Sequence, residues 1–553
     1  MMDISIANAK KNYGFKNVLD GFALDVTSGE KIGLIGPNGC GKTTLFKIIT
    51  KEEGLDSGSI SIRKGANVRL LSQMPPVVDD ECTVRDILTR DFKDVFEIEI
   101  QMKRLEKQMA IADPNELEKI LNNYGKLQNR FMDLDGYTID SKISELCNKF
   151  RIDENMLNRK FNTLSGGEKT IVNLASIMLS NPDILLLDEP TNNLDIDTLE
   201  WLESYLKSYT GTIILCSHDR YFLDKVVSKI VLIERGKSEI FFGNYSYYLK
   251  ENERRTLSEF EQYKDQQKMI EAMKRKIKQL QEFGKLAYPG GESFFKRAAS
   301  IQKRLDKIEL LDKPETAKEI PLNFQMTDRS GKQVLMVCDF DLTVADKNLL
   351  DQVSFDVEFK DRTCLMGKNG CGKSTLIKYI MRLYENEQED DHVRIGSNVS
   401  IGYIPQTIIF EDDNATILDV ARKSYYGSET HLRASLAKFM FNGESVFKRV
   451  GTLSGGEKVR LKLFELMQKK VNLLVMDEPT NHIDITTQEV LEEALKEYPG
   501  TILFISHDRY FINEIAKKIL YIEDKEITKY LGNYDDYRDT KEKQLSLTKG
   551  RNR

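Results

Sequence analysis

The chain lacks a Cys-x-x-C pair and lacks any long hydrophobic run. Its seven cysteines, Cys40, Cys82, Cys147, Cys216, Cys338, Cys364 and Cys371, are an odd number and scattered. That spacing argues against a zinc ribbon or an iron–sulfur centre and fits thiols kept reduced in a cytosol. The longest apolar runs, such as Ile184–Leu187, are strand-length, whereas a bilayer span needs about 20 apolar residues. The opening MMDISIANAKKNYG has no apolar h-region and no small-residue cleavage site. No signal peptide is expected, and the expected location is cytoplasmic. An excess of positive charge is also missing. The net charge of −6 argues against a uniformly basic nucleic-acid coat but leaves room for a local basic patch.

What is present is soluble globular composition, 40% hydrophobic and 30% charged, over 553 residues. That length implies at least two domains. An internal repeat sets their layout. Gly36-Pro-Asn-Gly-Cys-Gly-Lys42-Thr43 returns as Gly367-Lys-Asn-Gly-Cys-Gly-Lys373-Ser374. LSGGEK at Leu164–Lys169 returns at Leu453–Lys458. LLLDEPTNNLD at Leu185–Asp195 returns as LVMDEPTNHID at Leu474–Asp484. SHDRYF at Ser217–Phe222 and GNY at Gly243–Tyr245 return at Ser506–Phe511 and Gly532–Tyr534. From LSGGE onward each pair is offset by 289 residues, so those portions align without gaps. The glycine-rich pair is offset by 331 and the following glutamines, Gln73 and Gln406, by 333. The first half therefore carries 44 extra residues between its glutamine and its LSGGE, 92 against 48.

This places an insertion at about residues 91–152. Ile100, Met102, Leu105, Met109, Leu117, Ile120, Leu121 and Leu127 recur there at helical spacing, and Asp113-Pro114 divides two helices. A projecting helical hairpin is expected. Between the halves, residues 248–321 differ in character. Up to Glu282 there is no glycine or proline, which reads as one long helix. A turn-rich tip with Phe283, Tyr288, Phe294 and Phe295 follows, over about residues 283–297. A second helix, KRAASIQKRLDKIELLDK, ends at Pro314. From Lys264 to Lys307 there are twelve Lys/Arg against five Asp/Glu, a net of +7. A bland linker would be Gly/Ser- or Pro-rich. Positive charge with exposed rings instead suits RNA, whose phosphates take the charge and whose bases stack. The candidate contacts to RNA or a drug site are Lys285, Tyr288, Phe294, Phe295, Lys296, Arg297, Lys303 and Arg304. The domains expected are residues 1–247, the linker 248–321, a second domain 322–540 and a short basic tail 541–553.

Each GxxxxGK[ST] follows an apolar strand and opens a helical pattern, the context a phosphate-binding loop needs. Gly36, Asn38, Gly39, Gly41 and Thr44, with Gly367, Asn369, Gly370, Gly372 and Thr375, form the two cradles. Lys42 and Lys373 neutralise the β- and γ-phosphates of ATP, and Thr43 and Ser374 hold Mg²⁺. Asp188 and Asp477 end apolar strands and fit the role of Mg²⁺ carboxylates. Glu189 and Glu478, one residue on, can polarise an attacking water. His218 and His507 each follow an apolar strand, which places them at the ligand-binding edge of a parallel sheet. Ser165, Gly166 and Gly167, and Ser454, Gly455 and Gly456, begin helices whose N-termini can bind phosphate. The economical arrangement is head-to-tail. Lys42, Thr43, Gln73, Asp188, Glu189 and His218 then face Ser454 and Gly456. Lys373, Ser374, Gln406, Asp477, Glu478 and His507 face Ser165 and Gly167.

These motifs, in this order and twice over, resemble the ATP-binding-cassette superfamily across nearly the whole chain. Tandem cassettes, a basic helical linker and the SHDRYF…GNY endings resemble the ABC-F family in particular. The resemblance implies an α/β fold: two tandem P-loop cassettes, an inserted helical arm and an interdomain helical hairpin. It implies an ATPase using ATP and Mg²⁺, with Gln73 and Gln406 completing the metal and nucleotide set. It also implies a monomer that closes its two cassettes intramolecularly on the ribosome near the exit site. There the linker would reach P-site tRNA and large-subunit rRNA at the peptidyl-transferase centre, and the arm the L1-stalk side. Two departures stand out. Asn193 lies where the second copy has His482. Tyr13, suited to stacking on adenine, is matched by Val344.

MDEPTNHIDI with FISHDRYFINEIAKKI, and the short segment after the last motif, resemble Gram-positive target-protection members. Displacement of large-subunit antibiotics is therefore expected, with a housekeeping factor that relieves stalled ribosomes as the alternative. A transporter ATPase subunit would leave the linker without a task. A DNA-associated cassette protein would need the zinc or the very long coiled coil that the cysteines and the linker length exclude.

Overall fold

The computed structural model describes residues 1–14, 16–72, 79–110, 114–150, 152–192, 194–286, 290–311, 330–344, 347–469, 471–481 and 483–551. Gln73, Tyr288, Asn193 and His482 lie outside them. The chain divides into two units, Met1–Asn244 with Leu322–Arg553, and Tyr245–Pro321.

In the first unit each half repeats one plan. An antiparallel sheet comes first. Met2–Tyr13 lies between Lys16–Thr27 and Ser57–Ile62, and Gln333–Val344 lies between Lys347–Glu358 and Val393–Ile395. A six-stranded sheet follows. In the first half its order is Val68–Leu71, Ile184–Asp188, Thr212–Cys216, Lys31–Ile35, Lys229–Glu234, Lys237–Phe241. In the second half it is Ile401–Ile404, Leu473–Asp477, Thr501–Ile505, Arg362–Gly367, Lys518–Glu523, Glu526–Leu531. Five strands run parallel and the last is antiparallel.

Ile184–Asp188 and Thr212–Cys216 are buried throughout, because a parallel sheet is covered on both faces. This is why they read as unbroken apolar runs. The helix Lys42–Ile49 sinks Leu45, Phe46, Ile48 and Ile49 into a core shared with Ile4, Phe22, Leu34, Leu186 and Ile214. Leu376, Ile377 and Ile380 do the same among Val334, Val357, Leu365, Val475 and Leu503. That packing brings the phosphate-loop strand, the Asp-Glu strand and the His strand to one sheet edge in each half.

Among the described residues, between Thr89 and its LSGGE the first half has four α-helices, Lys93–Met109, Pro114–Asp133, Ile139–Phe150 and Glu154–Leu157, where the second half has Glu429–Lys438. The first two pair antiparallel. Val95, Ile98 and Met102 pack with Phe131 and Ile139 in a small core of their own, and further along the pair Tyr124 donates to Glu106 at 2.9 Å. Proline opens the second of them, at a first position where the N–H it lacks would have had no helical partner.

The second unit is a helical pair, Tyr245–Leu286 and Glu292–Leu305, with Ile270, Ile277 and Ala298 buried between them. The first helix passes the expected stop at Glu282 and runs through Gly284 to Leu286. Glycine is tolerated there because the second helix needs the space. A Cβ on Gly284 would lie 2.7 Å from the Phe295 ring, and one on Gly291 would lie 2.1 Å from the Gly284 carbonyl oxygen. The tip is therefore tighter than the sequence suggests. The second helix stops at Leu305, well short of Pro314. Gln266 accounts for this by taking up backbone groups that a longer helix would have bonded internally. Its Nε2 donates to the Glu309 carbonyl at 2.9 Å, and its Oε1 accepts from the Leu311 N–H at 3.0 Å. Among the described residues no helix is long and apolar enough to cross a membrane.

Gly291→Ala should loosen the helical pair by forcing the two backbones apart. Amide hydrogen exchange at residues 280–286 and 292–300 should speed up about tenfold, with the cassette strands unchanged.

Candidate functional site

The two phosphate loops have matching geometry. Gly36 and Gly367 have φ of +149° and +153°, and Gly41 and Gly372, which cap the following helices, +108° and +106°. These conformations cost a side chain but not glycine. A Cβ at Gly36 would also fall 2.5 Å from the Ile233 carbonyl oxygen. Lys42 Nζ lies over its own loop, 2.7 Å from Gly36 O and 3.3 Å from Pro37 O. Lys373 Nζ does the same, 2.8 Å from Gly367 O and 3.0 Å from Lys368 O. Asn38, Gly39, Asn369 and Gly370 stand exposed at the loop crests.

At the foot of each loop, Thr43 donates to Asp188 at 2.8 Å and Ser374 to Asp477 at 2.9 Å. Burial raises both carboxyls above their ordinary range. Asp477 Oδ2 is buried and has no hydrogen-bond partner. A divalent cation at that oxygen would offset the burial, so Ser374 and Asp477 fit an Mg²⁺ ligand pair. Among the described residues no group of three His, Cys, Asp or Glu could hold a metal ion. The ion would need phosphate oxygens to complete its shell.

Glu189 and Glu478 follow these aspartates at φ of +52° and +50°, a region that non-glycine residues rarely occupy and that clusters at functional sites. The surroundings over-determine the turn. Glu189 N–H donates to Cys216 O at 2.9 Å and Glu478 N–H to Ile505 O at 3.0 Å. The two carboxylates then accept from the backbone N–H of His218 at 3.1 Å and of His507 at 3.3 Å. The imidazole Nε2 atoms lie 3.3 and 3.5 Å from the other carboxylate oxygens. Burial pushes Glu478 up to about 7 and His507 down to about 3. His507 is thus a neutral imidazole near pH 7, with one nitrogen donating and one accepting. Its Nδ1 has no hydrogen-bond partner. Cys216 Sγ also lies 3.3 Å from Glu189 Oε1, whereas the residue 289 positions on is Ile505.

A cavity of about 790 Å³ lies between the halves. One wall carries Asn369, Gly370, Gly372, Lys373, Ser374, Thr375, Gln406, Glu478 and His507. The other carries Ser165, Gly166, Gly167, Asp195 and His218. Ser165 caps the helix Gly166–Leu179 in a reciprocal box with Glu168, and Ser454 caps Gly455–Gln468 with Glu457. Those helix ends carry free N–H groups and positive dipole ends. On the other side, the Asn38 N–H reaches Asp484 Oδ2 at 3.4 Å. Asp484 caps the helix Ile485–Glu497 by accepting from Thr487 N–H. A Cβ on Gly456 would lie 3.3 Å from the Thr487 hydroxyl. Arg460, in the second LSGGE helix, donates to the Thr487 hydroxyl at 2.8 Å, so the first phosphate loop connects through Asp484 and the helix it caps to that LSGGE helix.

Tyr13 ends its strand opposite Lys16, and Val344 holds the same place opposite Lys347. Tyr13 is exposed and its hydroxyl donates to Glu53. In the helical pair, Phe283 and Phe295 are exposed, and the Phe283 and Phe294 rings are 6.3 Å apart. Lys285 lies in the last turn of the first helix, Lys296 and Arg297 in the first half of the second, and Lys303 and Arg304 in its last turn. The motif reading overlooked Asp484, Cys216 and two arginines, Arg220 and Arg509, which the recurrence of SHDRYF already displayed.

Ser374→Ala should remove one ligand of the pair and raise the Mg²⁺ needed for half-maximal ATP turnover at least about tenfold. Titrating Mg²⁺ at saturating ATP checks this.

A family profile described as ABC transporter matches residues 19–192 and 350–481. A second profile of the same description matches 231–324. The Bacillus subtilis "Putative ATP-binding protein YdiF" is 40% identical over 99% of this chain and 84% of its own length. The Arabidopsis thaliana "ABC transporter F family member 2" is 36% identical over 96% of this chain and 78% of its own. The Haemophilus influenzae "Energy-dependent translational throttle protein EttA" is 32% identical over 96% of this chain and 94% of its own. Among solved structures, "RNase-L Inhibitor" superposes with a TM-score of 0.55 at 17% identity, covering 97% of this chain and 92% of that one, a likeness of fold. With two cassettes carrying full sets of ATP motifs and relatives that match 96–99% of its length, this chain belongs to the ABC-F family and is an ATP-binding-cassette ATPase.

Proposed function

We propose that this protein is a ribosome-binding translation factor whose ATP cycle opens and closes the two cassettes. The observation that carries the reading is the helical pair: stiff, net +7 between Lys264 and Lys307, and tipped with exposed Phe283 and Phe295. A spacer needs none of these features, and single-stranded or looped RNA uses all of them. A relative named as a translational throttle, alike over 96% of this chain, supports the same role. Large-subunit rRNA and P-site tRNA are the proposed contacts of Lys285, Phe294, Phe295, Lys296, Arg297, Lys303 and Arg304, with the protein acting as a monomer near the exit site. Relief of stalled ribosomes is the reading carried forward. Neither the described tip residues nor the names of the relatives favour antibiotic displacement.

In the proposed cycle, the loop amides with Lys42 and Lys373 hold the ATP phosphates. Thr43 with Asp188, and Ser374 with Asp477 and Gln406, hold Mg²⁺, which when bound neutralises phosphate charge. The N-terminal amides at Ser165–Gly167 and Ser454–Gly456 meet the γ-phosphate across the interface, so a complete site exists only when the cassettes close. Glu189 and Glu478 orient the attacking water and accept its proton. His218 and His507 fix those carboxylates.

Glu189→Gln with Glu478→Gln should keep the closed form on ribosomes. Co-sedimentation with ribosomes and ATP should show stable binding of the variant and ATP-dependent release of the unmodified protein. Free dissociation of the variant would overturn the clamp. Labelled large-subunit antibiotics in the same tubes should stay bound; their expulsion would restore target protection.

Charge reversal at Arg297, Lys303 and Arg304 should weaken ribosome binding and flatten its salt dependence, because each lost phosphate contact removes counterion release. A binding titration over a range of KCl checks this. An unchanged slope would reduce the helical pair to a spacer.

A further inference from the structure

Arg220 and Arg509 are the first residues of the helices Arg220–Val226 and Arg509–Ile515. Each lies two positions after the histidine that contacts a candidate catalytic glutamate. Each crosses to the other cassette. Arg220 forks onto Glu492 with bonds of 2.8 and 3.2 Å and reaches Gln488 at 3.3 Å. Arg509 donates to Glu203 and lies 3.4 Å from Asp219. Each guanidinium also covers a tyrosine of the opposite cassette at 4.5 Å, Arg220 over Tyr510 and Arg509 over Tyr221. The offset of 289 relates Arg220 to Arg509, Tyr221 to Tyr510 and Glu203 to Glu492. The contact is therefore reciprocal, as in a two-fold interface built from one surface used twice. It is dry: the arginine side chains are 3% and 1% exposed, the glutamates 7% and 10%.

Burying two ion pairs is a poor way to gain stability. Removing four charges from water costs about as much as their attraction returns, and apolar side chains of the same volume would serve as well. What ion pairs do supply is register, because a guanidinium fork and a carboxylate meet in one geometry only. The connections show what is being registered. The helix Ile485–Glu497 is capped by Asp484, which accepts from the Asn38 N–H of the first phosphate loop. Eight residues further on, Glu492 is gripped by Arg220. One helix of the second cassette is thus held at two points by the first, at the phosphate loop and at the histidine loop.

We infer that Arg220 and Arg509 are positioning residues for ATP turnover, forming a reciprocal latch through which each histidine loop senses closure onto the opposite cassette. This rests on the ATPase assignment and not on the ribosome reading. The latch touches no reacting atom. It sets the placement of His218 and His507, and through them Glu189 and Glu478, when the cassettes meet. An open cassette leaves the guanidinium hydrated and the loop without its partner.

The test is a double-mutant cycle on the full chain without ribosomes. It uses Arg220→Met, Glu492→Gln, the pair together, and the exchange of Arg220→Glu with Glu492→Arg. Each single change should lower kcat about tenfold or more and leave the affinity for a fluorescent ADP within about twofold. The combined change should be no worse than the poorer single, and the exchange should recover kcat to within about threefold of the unmodified protein. Thermal melts by circular dichroism confirm folding. Should Arg220→Met fail to fold, Arg220→Lys, which keeps the charge but loses the fork, should give an intermediate kcat. A kcat within twofold in the single variants, multiplicative losses in the pair, no recovery on exchange, or ADP affinity falling with kcat would each overturn the latch. Failure of ribosome binding alone would not touch it.

Discussion

Two guanidinium groups are buried between the cassettes, each paired with a carboxylate of the opposite cassette. Arg220 is paired with Glu492 and Arg509 with Glu203 and Asp219, and an unpaired buried cation is among the costliest things a fold can hold. That requirement dictates how the halves face each other. It aligns the helices that follow the two Asp-Glu turns, which in turn places Ser165 and Gly167 across from Lys373 and Ser374, and Asn38 across from Asp484. The two nucleotide sites are consequences of one interface and not two independent pockets.

The sequence displayed most of this because the chemistry of phosphate binding is local. A glycine that must adopt φ near +150°, a lysine six residues on and a hydroxyl beside it leave a readable pattern, and the pattern occurs twice. The parallel sheets were legible as well, since strands buried on both faces become unbroken apolar runs. The ends of the helical pair were not. Gly284 reads as a breaker, yet it sits inside a helix because Phe295, eleven residues later, needs its space. The second helix reads as reaching Lys313, yet the side chain of Gln266, far back in the chain, binds the backbone at Glu309 and Leu311. The roles of Arg220 and Arg509 were hidden for the same reason. Each is defined by a partner on the other cassette, more than 250 positions away, and no local period encodes that.

The two sites share a backbone plan but not every side chain. Glu189 lies within reach of the Cys216 thiol, while the matching Ile505 offers Glu478 no donor. Burial pushes the Glu478 carboxyl up to about 7. Tyr13 is matched by Val344 on the same hairpin position, a ring against a small aliphatic. One duplicated frame therefore presents two carboxylate environments and two nucleotide edges.

Carrying both cassettes on one chain changes the order of the closing reaction. Two separate cassettes would meet at a rate set by how many copies a cell contains. In the proposed monomer each would meet its partner at an effective concentration fixed by the connecting segment. For the proposed monomer, closure would be first-order and the fraction closed indifferent to protein abundance. Nucleotide and the proposed ribosome partner, and not the number of copies of the chain, would then set that fraction.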